Sequence, residues 1–369
     1  MINPMYEKLA KLVVNYSVKV KEEDRVLISG PALSKQLFQA IYIEVLKAGG
    51  HPFINAQLEG INEILFKFGS DNQIRHMDGI IKQIYNEFNQ IIEIRADYNT
   101  QKLAVVDPQK IAIMQGSEER REVVEIMEKR SSTGELNWVV VPFPCEALAQ
   151  DAEMDLFTYT DFVIKSLYLD KEDPVNEWKK VKEKQDKLIE FLDKVESLHV
   201  LGEDTDLIMS LKGRTWRNCC GQRNLPDGEV FTGPVENSVN GHIRFTFPGI
   251  YQGKEVKNIY LEFKDGKVVD FSAEKGEDLL KDILQIENAN KIGEFAVGTN
   301  YGVTKFTKNI LFDEKMGGTL HAALGLGFEE TGSTNKSSIH WDLLKDMTVP
   351  ESKLITDGKV IYEEGQWKI

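Results

Sequence analysis

The segment from Ser337 to Leu344 reads Ser-Ser-Ile-His-Trp-Asp-Leu-Leu. Extended as a strand, it sends Ser338, His340 and Asp342 to one face and Ile339, Trp341 and Leu343 to the other. An imidazole and a carboxylate two residues apart on a strand stand roughly 7 Å apart at the backbone. Their side chains can then converge on one cation or on two neighbouring ones. The plain alternative is a surface strand whose outer face carries a His and an Asp, with Trp341 anchoring the buried side.

Three upstream segments carry the same kinds of donor. Leu225-Pro-Asp-Gly-Glu-Val-Phe-Thr-Gly-Pro234 sets Glu229 between a turn and a strand. In Lys291-Ile-Gly-Glu-Phe-Ala-Val-Gly298, Glu294 stands in an apolar strand pattern, where an unpaired carboxylate is costly. Gly317-Gly-Thr-Leu-His-Ala-Ala-Leu-Gly325 surrounds His321 with small residues. Each has an ordinary explanation: a turn carboxylate, a salt-bridged core Glu, a hydrogen-bonded core His. Together, three carboxylates and two imidazoles supply what two divalent ions need, namely hard oxygen ligands, imidazoles and one carboxylate able to bridge. Asp342 is the expected bridge.

Composition restricts the setting. With 369 residues the chain is long enough for two cored domains, and 41% hydrophobic with 28% charged residues is an ordinary globular balance. A net charge of −14 leaves no basic excess to neutralise phosphates, so nucleic acid is not an expected partner. Three cysteines, Cys145, Cys219 and Cys220, form no disulfide framework and no zinc-knuckle spacing, which points to a reducing cytoplasm. The N-terminus lacks a signal-peptide core and no apolar run reaches about 18 residues, so neither secretion nor a membrane is expected.

The elements that must position these residues fall into two grammars. From Pro4 to about Val20 the apolar spacing predicts an amphipathic helix. A strand at 25–30, a helix marked by Leu33, Leu37, Ile41 and Val45, and a strand at 51–57 make a βαβ unit. Helices over 61–67, 71–88 and 118–129 and strands at 91–96 and 138–143 continue a layered, mostly parallel α/β domain. Ser29-Gly-Pro-Ala lacks the later glycines of a dinucleotide fingerprint, so no such cofactor is expected. His51 and His76 have no partner at ligand spacing. The polar Asp170–Pro174 marks the boundary between a domain over 1–172 and one over 173–369, the latter entered by a long helix over 178–198. Beyond it, Lys264-Asp-Gly-Lys267 and Thr356-Asp-Gly-Lys359 are hairpin signals, so the second domain is α+β with a mixed or antiparallel sheet and one helix near 276–286.

The four donor segments, in this order, resemble the M29 metalloaminopeptidases, the group of aminopeptidases T, S and PepS, and the resemblance runs nearly end to end. It implies a two-metal exopeptidase that removes N-terminal residues from peptides with a free N-terminus, working as a homodimer with two ions such as Zn, Co or Mn. Carried over, Glu229, Glu294, His321, His340 and Asp342 become the metal ligands. Glu330, aligned with a family Glu, becomes the carboxylate that shuttles a proton to the leaving amine. Where the family has Tyr-Pro-Glu-Ser this chain has Phe328-Glu-Glu-Thr, so the phenolic hydroxyl is absent, and the loop from His321 to His340 is shorter. The ligand types leave two alternatives open. One is another dinuclear hydrolase, a phosphoesterase or amidase, for which Arg214, Arg217 and Arg223 would serve. The other is a non-catalytic metal- or peptide-binding relative.

Overall fold

A computed structural model describes residues 2–369, and its contacts divide the chain into two units. One comprises 1–177 and 221–225, the other 178–220 and 226–369. The fold is mixed α/β, with a parallel sheet in the first unit and antiparallel sheets in the second.

In the first unit, β1 (Arg25–Pro31), β2 (His51–Gln57), β3 (Gln90–Arg95) and β4 (Asn137–Pro142) are all parallel, in the order β2-β1-β3-β4. The opening helix Pro4–Leu12 is started by Asn3, whose side chain accepts from the Met5 N–H, with Pro4 as first helical residue. It packs on the helix Lys35–Lys47, which buries Leu37, Phe38, Ile41 and Val45 and lies against β1 and β2. The opposite sheet face meets the helices Gly79–Glu87 and Glu118–Ser132 through a small core of Leu27, Phe88, Ile91 and Leu136. The helix expected over 71–88 is two, Asp71–Arg75 and Gly79–Glu87. The break comes where Asp78 turns its side chain to the Ile80 N–H and starts a new helix.

The second unit stacks two sheets. The eight-stranded sheet contains both expected hairpins, Tyr260–Lys264 with Lys267–Ser272 and Lys353–Thr356 with Lys359–Glu363. Their turns put Asp265-Gly266 and Asp357-Gly358 at positive φ, as two-residue hairpin loops require. The five-stranded sheet is antiparallel throughout, in the order His340–Asp346, Thr319–Gly325, Ile292–Gly298, Glu229–Thr232, Arg217–Cys219. A continuous core lies between the sheets. Val200, Leu207, Ile243, Leu261 and Leu354 come from one, and Phe295, Val297, Leu320, Leu324, Trp341 and Leu343 from the other. The long helix ends at Leu192 rather than near 198, because Leu198 and Val200 alternate with polar neighbours and join the eight-stranded sheet as Ser197–Gly202.

Candidate functional site

Cross-strand register gathers the five sequence-predicted donors on one face of the five-stranded sheet. Glu294 lies opposite Ala323, which lies opposite Asp342; Ala296 lies opposite His321, Gly298 opposite Glu229, and Gly325 opposite His340. The donors therefore alternate with Ala and Gly, and these small residues leave a concavity above the sheet. The other face of the same strands is the apolar core, where Trp341 is 3% exposed and donates its indole N–H to the Ile250 carbonyl. That is the anchoring role its alternation implied.

Glu294 reaches this face through an irregularity. Ile292 pairs with Leu324, but Glu294 pairs with Ala323, so two steps on one strand face one on the other. In regular pairing Glu294 would share the core face with Ile292. The extra residue is Gly293, and a Cβ there would lie 2.3 Å from the Gly325 carbonyl oxygen and 2.5 Å from that of Leu326. Only glycine permits this bulge, and the bulge turns the carboxylate toward the site. Gly228 plays a comparable part beside Glu229: its φ of +120° and its 2.7 Å Cβ approach to Asn300 exclude other residues.

The donors converge closely. His321 Nε2 is 3.3 Å from Glu294 Oε1, 3.5 Å from Glu229 Oε2 and 3.9 Å from Asp342 Oδ1. His340 Nε2 is 3.3 Å from Asp342 Oδ1 and 3.5 Å from Glu294 Oε2. The other nitrogen of His340, Nδ1, donates to the Leu326 carbonyl at 2.8 Å, which fixes the ring and leaves Nε2 facing the carboxylates. Glu229, Glu294 and His321 are buried, and the ligand atoms they offer all lie within 4.8 Å of one another. Glu229 Oε2, His321 Nδ1 and Asp342 Oδ1 are buried without a hydrogen-bond partner, a costly condition that a bound cation would relieve.

Sequence reasoning missed three further charged groups at this site. Lys315, 1% exposed, places Nζ 2.5 Å from Glu229 Oε1, 2.6 Å from Glu314 Oε1 and 3.6 Å from Asp227 Oδ1. Asp227 lies inside the Pro-Asp-Gly-Glu segment already singled out. Glu314 and Lys315 precede the Gly-Gly of the His321 segment and carried no motif of their own. From the helix Pro174–Leu192, Gln185 Nε2 donates at 3.0 Å to the carbonyls of Cys219 and Glu229 and to Thr299 Oγ1, tying down the strand that presents Glu229.

Proton affinities reflect the crowding. Burial lowers both imidazoles, yet the carboxylates outweigh it: His321, bonded to Glu294 with Glu229 and Asp342 nearby, is pushed up to about 9. His340, held by Asp342 and Glu294, is pushed up to about 10. Burial raises Asp342, but the His340 imidazolium holds it down at about 2. Burial raises Glu294, and it lifts Glu314 to about 8 against the pull of Lys315.

Phe328 packs its ring against the cluster, tilted at 5.1 Å from the His340 ring and edge-on at 5.6 Å from Phe231. Glu330 lies exposed on the short turn Glu329–Thr331, and among the described residues no hydrogen bond or ion pair joins it to the five donors. Arg214 is committed to Glu236 at 2.5 Å, and Arg223 stacks on Trp138 at 5.4 Å.

The chain aligns over 98% of its length with Aminopeptidase 2 of Geobacillus stearothermophilus, covering 97% of that protein at 25% identity. The solved structure of wild-type AmpT from Thermus thermophilus superposes with a TM-score of 0.86, covering 99% of both chains at 20% identity. A 2,5-dihydroxypyridine dioxygenase from Pseudomonas putida KT2440 also shares the fold, with a TM-score of 0.56 at 14% identity over 98% of this chain and 95% of that one. A fold common to proteins so differently named does not decide the chemistry. Residues 3–367 match the thermophilic metalloproteases of family M29, and the chain belongs to that family.

Proposed function

We propose that this protein is an aminopeptidase that releases N-terminal residues from peptides, with Glu229, Glu294, His321, His340 and Asp342 holding two divalent ions. One observation carries this proposal: five donors from four strands share one sheet face, with orphaned buried ligand atoms among them. Charge supports it. Asp227, Glu229 and Glu314 share a single ammonium, Lys315, while Glu294 and Asp342 meet only the two imidazoles, and carboxylates crowded in this number call for cations. The named relative, an aminopeptidase, points the same way.

When bound, such ions supply Lewis-acid polarisation of the scissile carbonyl and make water acidic enough to serve as nucleophile near neutral pH. The chain's own residues do the positioning. Lys315 occupies Glu229 Oε1 and so leaves Oε2 to ligate. Asp342, within reach of both imidazoles, is the candidate bridge. The substrate's free ammonium would bind among the excess carboxylates, which is how the site would measure off a terminus. Glu330 would carry the proton to the leaving amine from the adjoining turn, and Phe328 would line the approach. Zn, Co and Mn all suit mixed oxygen and imidazole ligands. A homodimer follows from the family resemblance, and a reducing cytoplasm from three unbridged cysteines. No helix among the described residues is long and apolar enough to cross a membrane. A phosphoesterase is less favoured, because two of its three candidate arginines, Arg214 and Arg223, are engaged elsewhere and Arg217 is exposed.

The test is hydrolysis of amino-acid anilides, free and N-acetylated, by full-length protein stripped with chelator and reloaded with Co²⁺, Zn²⁺ or Mn²⁺. Turnover of the free-amine substrate alone, lost together with bound metal in Glu294→Ala and His340→Ala, is expected. Full metal content and unchanged rates in both variants would remove these residues from the site. Turnover of a phosphodiester but of no anilide would replace the peptidase proposal.

A further inference from the structure

A cavity of about 1220 Å³ is lined entirely by residues of the first unit, whereas the five proposed metal ligands belong to the second. It opens where the parallel sheet reverses its order. From β1 the chain winds to β2 on one side and then crosses to β3 on the other. In open parallel sheets, ligands bind outside the carboxyl ends of the strands at such a switch point.

The sheet face beneath it changes character along the strands. Leu27, Ile91 and Trp138 form one cross-strand row, packed against the helices. One step toward the carboxyl ends, the row is Asn55, Ser29 and Glu93, ending on apolar Val140, with Arg95 beyond Glu93. Asn55 and Glu93 are half-buried and Arg95 is exposed, so these polar groups stay open to the cavity and can meet a polar ligand. Ser29 is buried, and Asn55 and Gln57 both point amide nitrogens at its hydroxyl across 3.4 Å, long bonds that leave capacity to spare.

Charges of both signs line the same space without protein partners. Glu63, Glu93, Arg95 and Arg120 all border it, and among the described residues none of the four forms an ion pair. The Nε of Arg120 is buried with no hydrogen bond at all. By contrast, Asp97 at the same rim is already paired with Lys102. Burial raises the Tyr85 hydroxyl, with Glu93 adding to the effect and Arg95 opposing it, so Tyr85 borders the cavity as a neutral donor.

We propose that this cavity is a second binding site, for a small zwitterion: a free amino acid or a short peptide with both termini free. Arg95 and Arg120 receive the carboxylate, for which a guanidinium fork is the fitting partner. Glu93 and Glu63 receive the ammonium. The Leu27–Ile91–Trp138 row takes an apolar side chain, and Ser29, Asn55 and Gln57 take peptide amides. Glu93 and Arg95, two residues apart on one strand, are roughly 7 Å apart at the backbone, a span that the termini of a dipeptide bridge and that these long side chains can close around the adjacent charges of a free amino acid. The volume exceeds the need of a single residue and accommodates a short peptide. The site is independent of the metal ligands.

The experiment is calorimetric titration of the chelator-stripped full-length protein, and of His340→Ala treated alike, with L-leucine and glycyl-leucine. Leucinamide, 4-methylpentanoate and inorganic phosphate serve as controls. Saturable binding of at least one zwitterion is expected, unchanged in His340→Ala. It should weaken about tenfold or more in Arg95→Gln and Arg120→Gln, less in Arg120→Lys, and also when the ligand loses its carboxylate or its amine. Comparing leucine with glycyl-leucine identifies which source of the shared chemistry fits. The ligand series decides the question even if a variant unfolds. Absence of saturable binding, loss of binding in His340→Ala, or phosphate binding as tightly as either zwitterion would overturn the proposal.

Discussion

Gly293→Ala tests the step by which the fold makes its candidate site. The new Cβ would fall 2.3 Å from the Gly325 oxygen and 2.5 Å from the Leu326 oxygen, both backbone atoms, so the strands must part or the bulge must go. Overpacking of this kind costs about 1–3 kcal/mol. For a unit of roughly this size, each kcal/mol lowers the melting temperature by about 2–4 °C. The larger consequence is functional. If the bulge is lost, regular pairing swings Glu294 from opposite Ala323 to the core face that Phe295 and Leu324 now fill. A buried carboxylate with no partner is unfavourable there, so the strand would instead settle between registers and displace Glu294 from the His321 and His340 imidazoles. A misplacement of about 1 Å in such a constellation costs about 10²-fold in rate. The assay combines metal content, anilide kcat/KM and thermal melting, with Gly79→Ala as control, since a Cβ at Gly79 meets nothing within 4 Å. A Gly293→Ala protein that binds metal fully, turns over within about twofold of wild type and melts normally would refute the argument that the bulge aims Glu294.

Three further outcomes follow from the same geometry. Lys315→Met should destabilise the metal-free protein by about 3–5 kcal/mol, because Glu229, Glu314 and Asp227 lose their shared cation, and added divalent ion should recover part of the loss; a melting curve unchanged from wild type would contradict this. Phe328→Tyr should raise kcat with little change in KM, since the ring already borders His340, whereas an unaltered kcat would mean the position does not meet the substrate. In chelated protein His321 and His340 stand at about 9 and about 10, above the ~6.5 of an unfolded chain. Their stabilising contribution is then complete below pH ~6.5 and lost as pH rises through those values. The gap in melting temperature between wild type and His340→Ala should therefore narrow from pH 6 toward about 10; a constant gap would contradict the assignment.

How much of this was legible beforehand depends on whether the interaction is local. Hairpins at Asp265-Gly266 and Asp357-Gly358 were readable, because two positive-φ residues in a row are a property of the turn itself. The alternation that put His340 and Asp342 opposite Trp341 was equally local, and the donor segments could be singled out because polar residues in Gly-rich or apolar strands ask for a reason. The end of the long helix is not legible locally, because the apolar residues around Leu198 and Val200 suit either element and only a neighbouring strand chooses between them.

The amino-acid sequence by itself determined the donor types, their order along the chain and the mixed α/β class. It could not determine convergence. Glu229 and Asp342 are far apart in sequence, and their meeting depends on the register of antiparallel strands, which no local pattern encodes. Nor did it reveal Lys315, whose ammonium is unremarkable until burial leaves it facing three carboxylates. The bulge at Gly293 lay in plain view as a glycine inside a strand. Its meaning, that it carries Glu294 from the core to the site, came only when the partner strand showed which residue each carboxylate must face.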